Sequence, residues 1–176
     1  MPEASGITKE GAMSQAADGG PQREGKYLTF GLGSEEYGLE ILKVKEIIGV
    51  MNITSVPQTP KYVKGVINLR GKVIPVIDLR LKFGMDAMEY NDRTCIIVVD
   101  IAGKAGKKTV MGIVVDSVSE VLNIKGEEIE DTPTFGVRLA TDYILGMAKV
   151  KGGVKILLDI NKVLTTDAVM AESMVH

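Results

Sequence analysis

The chain repeats itself, and the repeat limits what it can fold into. Gly65-Val-Ile-Asn-Leu-Arg-Gly-Lys-Val-Ile-Pro-Val-Ile-Asp-Leu79 aligns without a gap on Gly146-Met-Ala-Lys-Val-Lys-Gly-Gly-Val-Lys-Ile-Leu-Leu-Asp-Ile160. Gly65, Gly71, Val73 and Asp78 meet Gly146, Gly152, Val154 and Asp159, while Leu69, Ile77 and Leu79 meet Val150, Leu158 and Ile160. Each unit reads as strand, glycine turn, strand and Asp-capped helix. Upstream of each lies a second pair: Tyr37 to Ile48 parallels Met111 to Leu122, with Gly38, Val44 and Glu46 matching Gly112, Val118 and Glu120. The order is the same in both halves. Two similar β subdomains follow, near residues 26–85 and 93–164, of about five strands each, with exchange of strands between them left open.

The remaining pattern agrees with an all-β chain. Apolar runs are short, β-branched and bounded by Gly or Pro, as in Lys72 to Ile77, Thr109 to Val115 and Lys155 to Leu158. Such runs suit a barrel or sandwich. Helices are few: a turn or two over Leu39 to Lys45, and short capped helices over Asp78 to Phe83 and Asp159 to Leu164. Pro75 inside a strand asks for an edge or a bulge. Residues 1–25 are poor in large apolar side chains and read as a disordered tail. Residues 165–176 read as a weakly patterned C-terminal tail that frays or forms one short helix.

Several chemistries are disfavoured. The net charge is −2 and aromatics make up 5% with no Trp, which argues against a nucleic-acid footprint or a base-stacking platform. The one histidine is His176, at the very end, so no internal imidazole serves a triad or a zinc site. Cys95 is the one cysteine and lies in an apolar run, which suits a small buried hydrophobe in a reducing compartment. No stretch nears the ~18 apolar residues of a membrane span, and no signal peptide precedes the tail. A cytoplasmic chain with no cofactor, no metal and no direct membrane insertion is expected.

Three spellings look chemical at first. Asp78 and Asp159 occupy equivalent positions of two β halves, like a carboxylate dyad, but Leu79-Arg80 and Ile160-Asn161 follow them instead of small residues. N-capping is the better reading. Gly103-Lys-Ala-Gly-Lys-Lys-Thr109 has two residues between its glycines where a phosphate loop needs four, and reads as a basic hairpin loop. Asn68, Leu69, Arg70 and Gly71 form a tight turn with a guanidinium at its tip, either solvated or positioned for a carboxylate.

At these residues the chain resembles a known family. Tyr37 to Ile47, Val56 to Arg80 and Val114 to Leu122 are similar to the CheW-like family of chemotaxis coupling proteins, over about residues 26–164. The resemblance implies two SH3-like barrels with a groove between them and an adaptor that is not an enzyme. Its implied partners are the cytoplasmic hairpin tip of a transmembrane chemoreceptor and the regulatory domain of the histidine kinase CheA. It implies recruitment to receptor arrays at the inner face of the membrane. It carries receptor contacts onto Ile41, Val44 and Glu46, and partner contact or support onto Asn68, Leu69, Arg70 and Gly71. The kinase surface is expected on apolar barrel-end loops of the second half. A fused receiver domain, the mark of a related family member, is not expected after the tail. Two alternatives stand beside this reading: a β-barrel accessory subunit of an unrelated enzyme complex, and a small-molecule barrel with a closed apolar cavity.

Overall fold

The computed structural model describes residues 23–102, 106–131 and 141–174, with the side chains of 141 and 169–174 left aside. Eleven strands run through the described residues: β1 Gly25–Leu32, β2 Glu35–Glu40, β3 Val44–Gly49, β4 Val63–Leu69, β5 Lys72–Asp78, β6 Cys95–Ala102, β7 Lys108–Val115, β8 Ser117–Ile124, β9 Ile129–Glu130, β10 Ile144–Val150 and β11 Gly153–Leu158. A 3-10 turn, Ile41–Lys43, precedes β3, α1 is Leu79–Lys82, and α2 is Ile160–Met174.

Neither sheet is built from one contiguous half. One has the order β8-β1-β2-β11-β10-β9, the other β3-β6-β7-β5-β4. The first hairpin, β1–β2, therefore lies beside strands of the second repeat, and its counterpart β6–β7 beside strands of the first. Two parallel pairings join hairpin to repeat: β2 on β11 through Glu36 to Leu39, and β7 on β5 through Gly112 to Val114. The exchange is thus reciprocal.

Alternation explains why the strands read as continuous apolar runs. On β6, Ile96 and Val98 point into the core enclosed by their own sheet, with Ile67, Ile74, Val76 and Val114. Ile97, Val99 and Ile101 point the other way, into a larger cluster shared with Leu28, Phe30, Leu32 and Leu39 of the other sheet. Both faces are buried, so no polar residue is called for. The other sheet closes over Tyr27, Ile124, Ile129, Ala148 and Leu157. The molecule is two SH3-like barrels, each with a small filled core, joined through the largest one. Among the described residues both barrel interiors are occupied by these packed side chains.

Several local expectations are resolved. Asp78 caps α1, its Oδ1 accepting from Leu81 N at 3.2 Å, and its Oδ2 accepts from Tyr90 Oη at 2.7 Å. Asp159 accepts from Lys162 N at 3.2 Å through Oδ1. Both carboxylates are occupied by structural hydrogen bonds. Pro75 lies on a central strand beside a register shift, where β4 passes from Val63 to Gly65 opposite Ile77 and Val76, and the β7 ladder begins at Val76, so its missing N–H costs no bond there. Cys95 is half-buried and not wholly so. Ala102 pairs with Lys108 across the basic hairpin, whose residues 103–105 lie outside the described set, as does His176.

Described structure reaches into both end segments. Arg23 Nη1 donates to Leu145 O at 2.9 Å and to Asp131 Oδ1 at 3.2 Å, and Gly126 N donates to Glu24 Oε1 at 2.8 Å. Residues 23–25 are thereby held against the second barrel. At the other end α2 continues beyond Leu164 to Met174. Its stripe is Ile160, Val163, Leu164, Asp167 and Ala168, all buried, which is the i, i+3, i+4, i+7, i+8 spacing of a helix packed on one face. Asp167 breaks the stripe in the sequence but not in the structure. Its Oδ2 meets Lys82 Nζ at 2.8 Å and its Oδ1 accepts from Tyr62 Oη at 2.9 Å. Burial alone would lower the pKa of Lys82. The hydrogen bond and charge of Asp167 outweigh it and hold the ammonium above its ordinary pKa.

Candidate docking surface

The turn between β4 and β5 is a two-residue hairpin loop. Leu69 pairs with Lys72, and both central residues, Arg70 and Gly71, have positive φ of 53° and 86°. That is the twist two-residue hairpins require, and Gly is the natural choice for it. The Asn68 side chain closes the turn, its Oδ1 accepting from Gly71 N at 2.8 Å. Arg70 is the residue that does not belong. A non-glycine side chain in this conformation costs about 1–2 kcal/mol.

The strained backbone aims the guanidinium at β3, where Arg70 Nη2 donates to Glu46 Oε1 in an ion pair. The Arg70 side chain is 70% exposed and that of Glu46 31%. An exposed pair of this kind is worth about 0.2–1 kcal/mol, less than the strain that presents it. The pair thus returns less to the fold than the left-handed backbone at Arg70 costs it.

Ile41, Val44 and Glu46 occupy different surroundings. Ile41 and Val44 are half-buried and lean on the large central cluster between the barrels. Their exposed halves form one edge of the surface and their buried halves fix its shape. Between them Leu42 stands 92% exposed at the tip of the 3-10 turn. The sequence pattern passes over Leu42, because a three-residue turn has no periodicity to mark which side chain points out. Asn68, Leu69 and Gly71 frame Arg70 on the adjoining hairpin, so the described surface brings the turn and β3 together through the Arg70–Glu46 pair.

Beneath that pair the first barrel has an open mouth of about 310 Å³. Leu69, Ile74, Val98 and Val110 form its floor, with Lys45, Glu46, Arg70 and Lys72 around it. A wider, shallower groove of about 590 Å³ runs along the 50–64 segment beside Tyr90, whose hydroxyl burial and Asp78 hold well above the ordinary phenol pKa. Among the described residues no group of His, Cys, Asp and Glu is arranged to hold a metal, and no helix is long and apolar enough to cross a membrane.

Comparison with known proteins places this geometry in context. The family model described as "CheW-like domain" matches residues 26–168, which span both barrels and the first half of α2. The chain is similar to "Chemotaxis protein CheW" of Klebsiella aerogenes, 44% identical over 142 residues that cover 81% of this chain and 82% of that one. It is also similar to "Chemotaxis protein CheW" of Bacillus subtilis, 34% identical over 144 residues, covering 81% and 88%. Among solved structures it resembles the scaffolding protein TtCheW from Thermoanaerobacter tengcongensis, with a TM-score of 0.70 and 36% identity over 80% of this chain and 92% of that one.

Proposed function

The chain belongs to the CheW-like domain family and is a chemotaxis scaffold, and from that premise we propose that it couples a chemoreceptor's cytoplasmic hairpin tip to the regulatory domain of the histidine kinase CheA. In this reading the chain performs no catalysis, and it sits at receptor arrays on the inner face of the membrane. The observation that carries the proposal is the extent of the family match, 26–168, which takes in both barrels and the surface at their junction. The accessory-subunit alternative draws no support from any of the relatives.

The receptor surface in this reading is the edge formed by Ile41, Leu42, Val44 and Glu46. A helical hairpin docks by pressing apolar side chains into a groove with a polar rim. Leu42 supplies an apolar side chain that the fold leaves uncovered, and Glu46 with Arg70 supplies the rim. Asn68, Leu69 and Gly71 support Arg70. A pull-down of CheA and a receptor cytoplasmic fragment with the full chain tests the proposal. Both are retained by a true adaptor. Retention of neither, or turnover of a small substrate by the chain alone, contradicts it.

A further inference from the structure

The strand order carries the chain from one sheet to the other twice, and the repeat makes the two crossings equivalent. The first leaves β2 at Glu40 and enters β3 at Val44 through Ile41–Lys43, and the second leaves β7 at Val115 and enters β8 at Ser117 through Asp116 alone. In the alignment of Tyr37 to Ile48 on Met111 to Leu122, Asp116 stands where the first crossing has Leu42. The two residues have opposite fates. Leu42 is 92% exposed. Asp116 is drawn in: its backbone N–H donates to Gly31 O at 3.0 Å, and its Oδ2 accepts from Gly33 N at 2.7 Å and from Arg80 Nη1 at 2.6 Å.

Those contacts tie the crossing to both barrels. Gly33 lies in the turn of the β1–β2 hairpin, part of the second barrel, and Arg80 is the second residue of α1, which follows β5 of the first. The guanidinium is itself held, its Nε donating to Asp86 O at 3.0 Å, while Met85 N donates to Arg80 O at 2.9 Å. Met85 closes over the hairpin turn, so that a Cβ on Gly33 would lie 2.7 Å from its Cε. The Arg80 and Asp116 side chains are 16% and 17% exposed, so salt screens this pair less than one on the surface. At the equivalent place after the second barrel, Asn161 takes the position of Arg80 as the second residue of α2. Its Oδ1 accepts from Ala102 N at 3.0 Å, at the end of β6. One joint therefore combines an ion pair and hydrogen bonds on a single-residue crossing. The other has a neutral hydrogen bond, and its crossing residue is turned out to solvent.

We propose that Arg80 and Asp116 are positioning residues of the adaptor, a directional joint that fixes the angle between the two barrels and through which a change at one partner is passed to the other. The inference rests on the adaptor reading and deepens it. The apolar cluster between the barrels holds them together, but burial of apolar area has no preferred direction. A guanidinium on a carboxylate that also accepts from a backbone N–H has one. Neither residue belongs to the edge of Ile41, Leu42, Val44 and Glu46, so binding and coupling are separable. Coupling needs an element whose arrangement both partners bias, and a joint that yields absorbs a displacement instead of passing it on.

The distance between the barrels reads the joint directly. Val73 and Val154 occupy equivalent positions of the two repeats, one on each barrel, and are 51% and 48% exposed. Spin labels on Val73→Cys and Val154→Cys, in the full chain with Cys95→Ser, report the separation by pulsed electron resonance. The test variants are Asp116→Asn and Arg80→Gln, which remove the charge, and Arg80→Lys, which keeps it. The two neutral variants are expected to widen the distance distribution about twofold or more, and Arg80→Lys to leave it narrow. Without labels, the neutral variants are expected to bind a receptor cytoplasmic fragment and the CheA regulatory domain within about twofold of the wild type. At saturating concentrations they are expected to reduce the receptor-dependent change in CheA autophosphorylation about threefold or more. Each measurement is made well below the variant's melting temperature, and Asp116→Asn, being isosteric, decides alone if Arg80→Gln does not fold. A lower melting temperature with an unchanged distribution makes the pair structural only and overturns the proposal, as does a widened distribution with coupling intact. If the wild-type chain leaves kinase activity unchanged with receptor present, the adaptor reading fails and the coupling role with it, while the distances still show whether the joint exists.

Discussion

At Arg70 the side chain and the backbone ask for different residues, and the difference can be measured. Glycine suits φ 53° and relieves the left-handed strain. Arg70→Gly should therefore leave the melting temperature unchanged or raise it, since losing the exposed pair costs about 0.2–1 kcal/mol and the strain relieved is about 1–2 kcal/mol. The same variant should weaken assembly by about 2–5 kcal/mol if a partner desolvates the guanidinium, and by less for a rim contact. Arg70→Ala keeps the strain and loses the pair, so it should melt slightly lower than Arg70→Gly but bind equally poorly. Titrations against receptor and kinase with paired thermal melts check this. Unchanged binding in both variants returns Arg70 to a solvated hairpin tip. The turn was legible from Asn68 to Gly71 as residues, but the left-handed Arg70 was not, because nothing in a single sequence separates a residue that fits a turn from one that is forced into it.

Among the elements, α2 shows where pattern reading stops. Thr165 and Thr166 are poor helix formers, and Asp167 falls on what should be the apolar stripe. The helix is completed by Lys82 and Tyr62, which lie far away in the chain and give Asp167 its partners. Lys82→Met leaves the carboxylate buried without its counter-charge and with only the Tyr62 hydroxyl to donate to it, at a cost of about 3–5 kcal/mol. At about 2–4 °C per kcal/mol for a chain of this size, the melting temperature should fall by roughly 6 °C or more. Lys82→Met with Asp167→Leu should recover much of the loss, and failure to recover would show that the pair is not what holds the helix. Alkali should act in the same direction. Lys82 has a raised pKa in the fold, so its contribution is complete below the ordinary lysine value and is lost as pH rises through the raised one. Tyr27, with burial pushing its phenol up to about 12, also favours the folded state less as the unfolded phenol ionises above pH 10. Melts from pH 7 to 11.5 should hold level and then drop above about pH 10. A drop confined to acid would contradict this.

For the whole molecule, the duplication was legible and the exchange was not. The repeat rests on local grammar: strand, glycine turn, strand, capped helix, each written in neighbouring residues. The exchange rests on which strand lies beside which. The decisive parallel ladders, Glu36 to Leu39 on Lys155 to Leu158 and Gly112 to Val114 on Val76 to Asp78, join residues distant in sequence. Packing against neighbours decides such pairing more than any property of the strand itself. Its consequence is mechanical, because each barrel contains a hairpin from the other half, so neither can open without disturbing the large cluster around Phe30, Leu39, Ile97 and Ile113. Each barrel is therefore anchored to the other through that cluster. The most direct measurement is CheA autophosphorylation with and without a receptor cytoplasmic fragment, at increasing concentrations of the full chain. Activity that changes with this chain only when the receptor fragment is present is the predicted result. Activity indifferent to the chain in the presence of receptor would contradict the account.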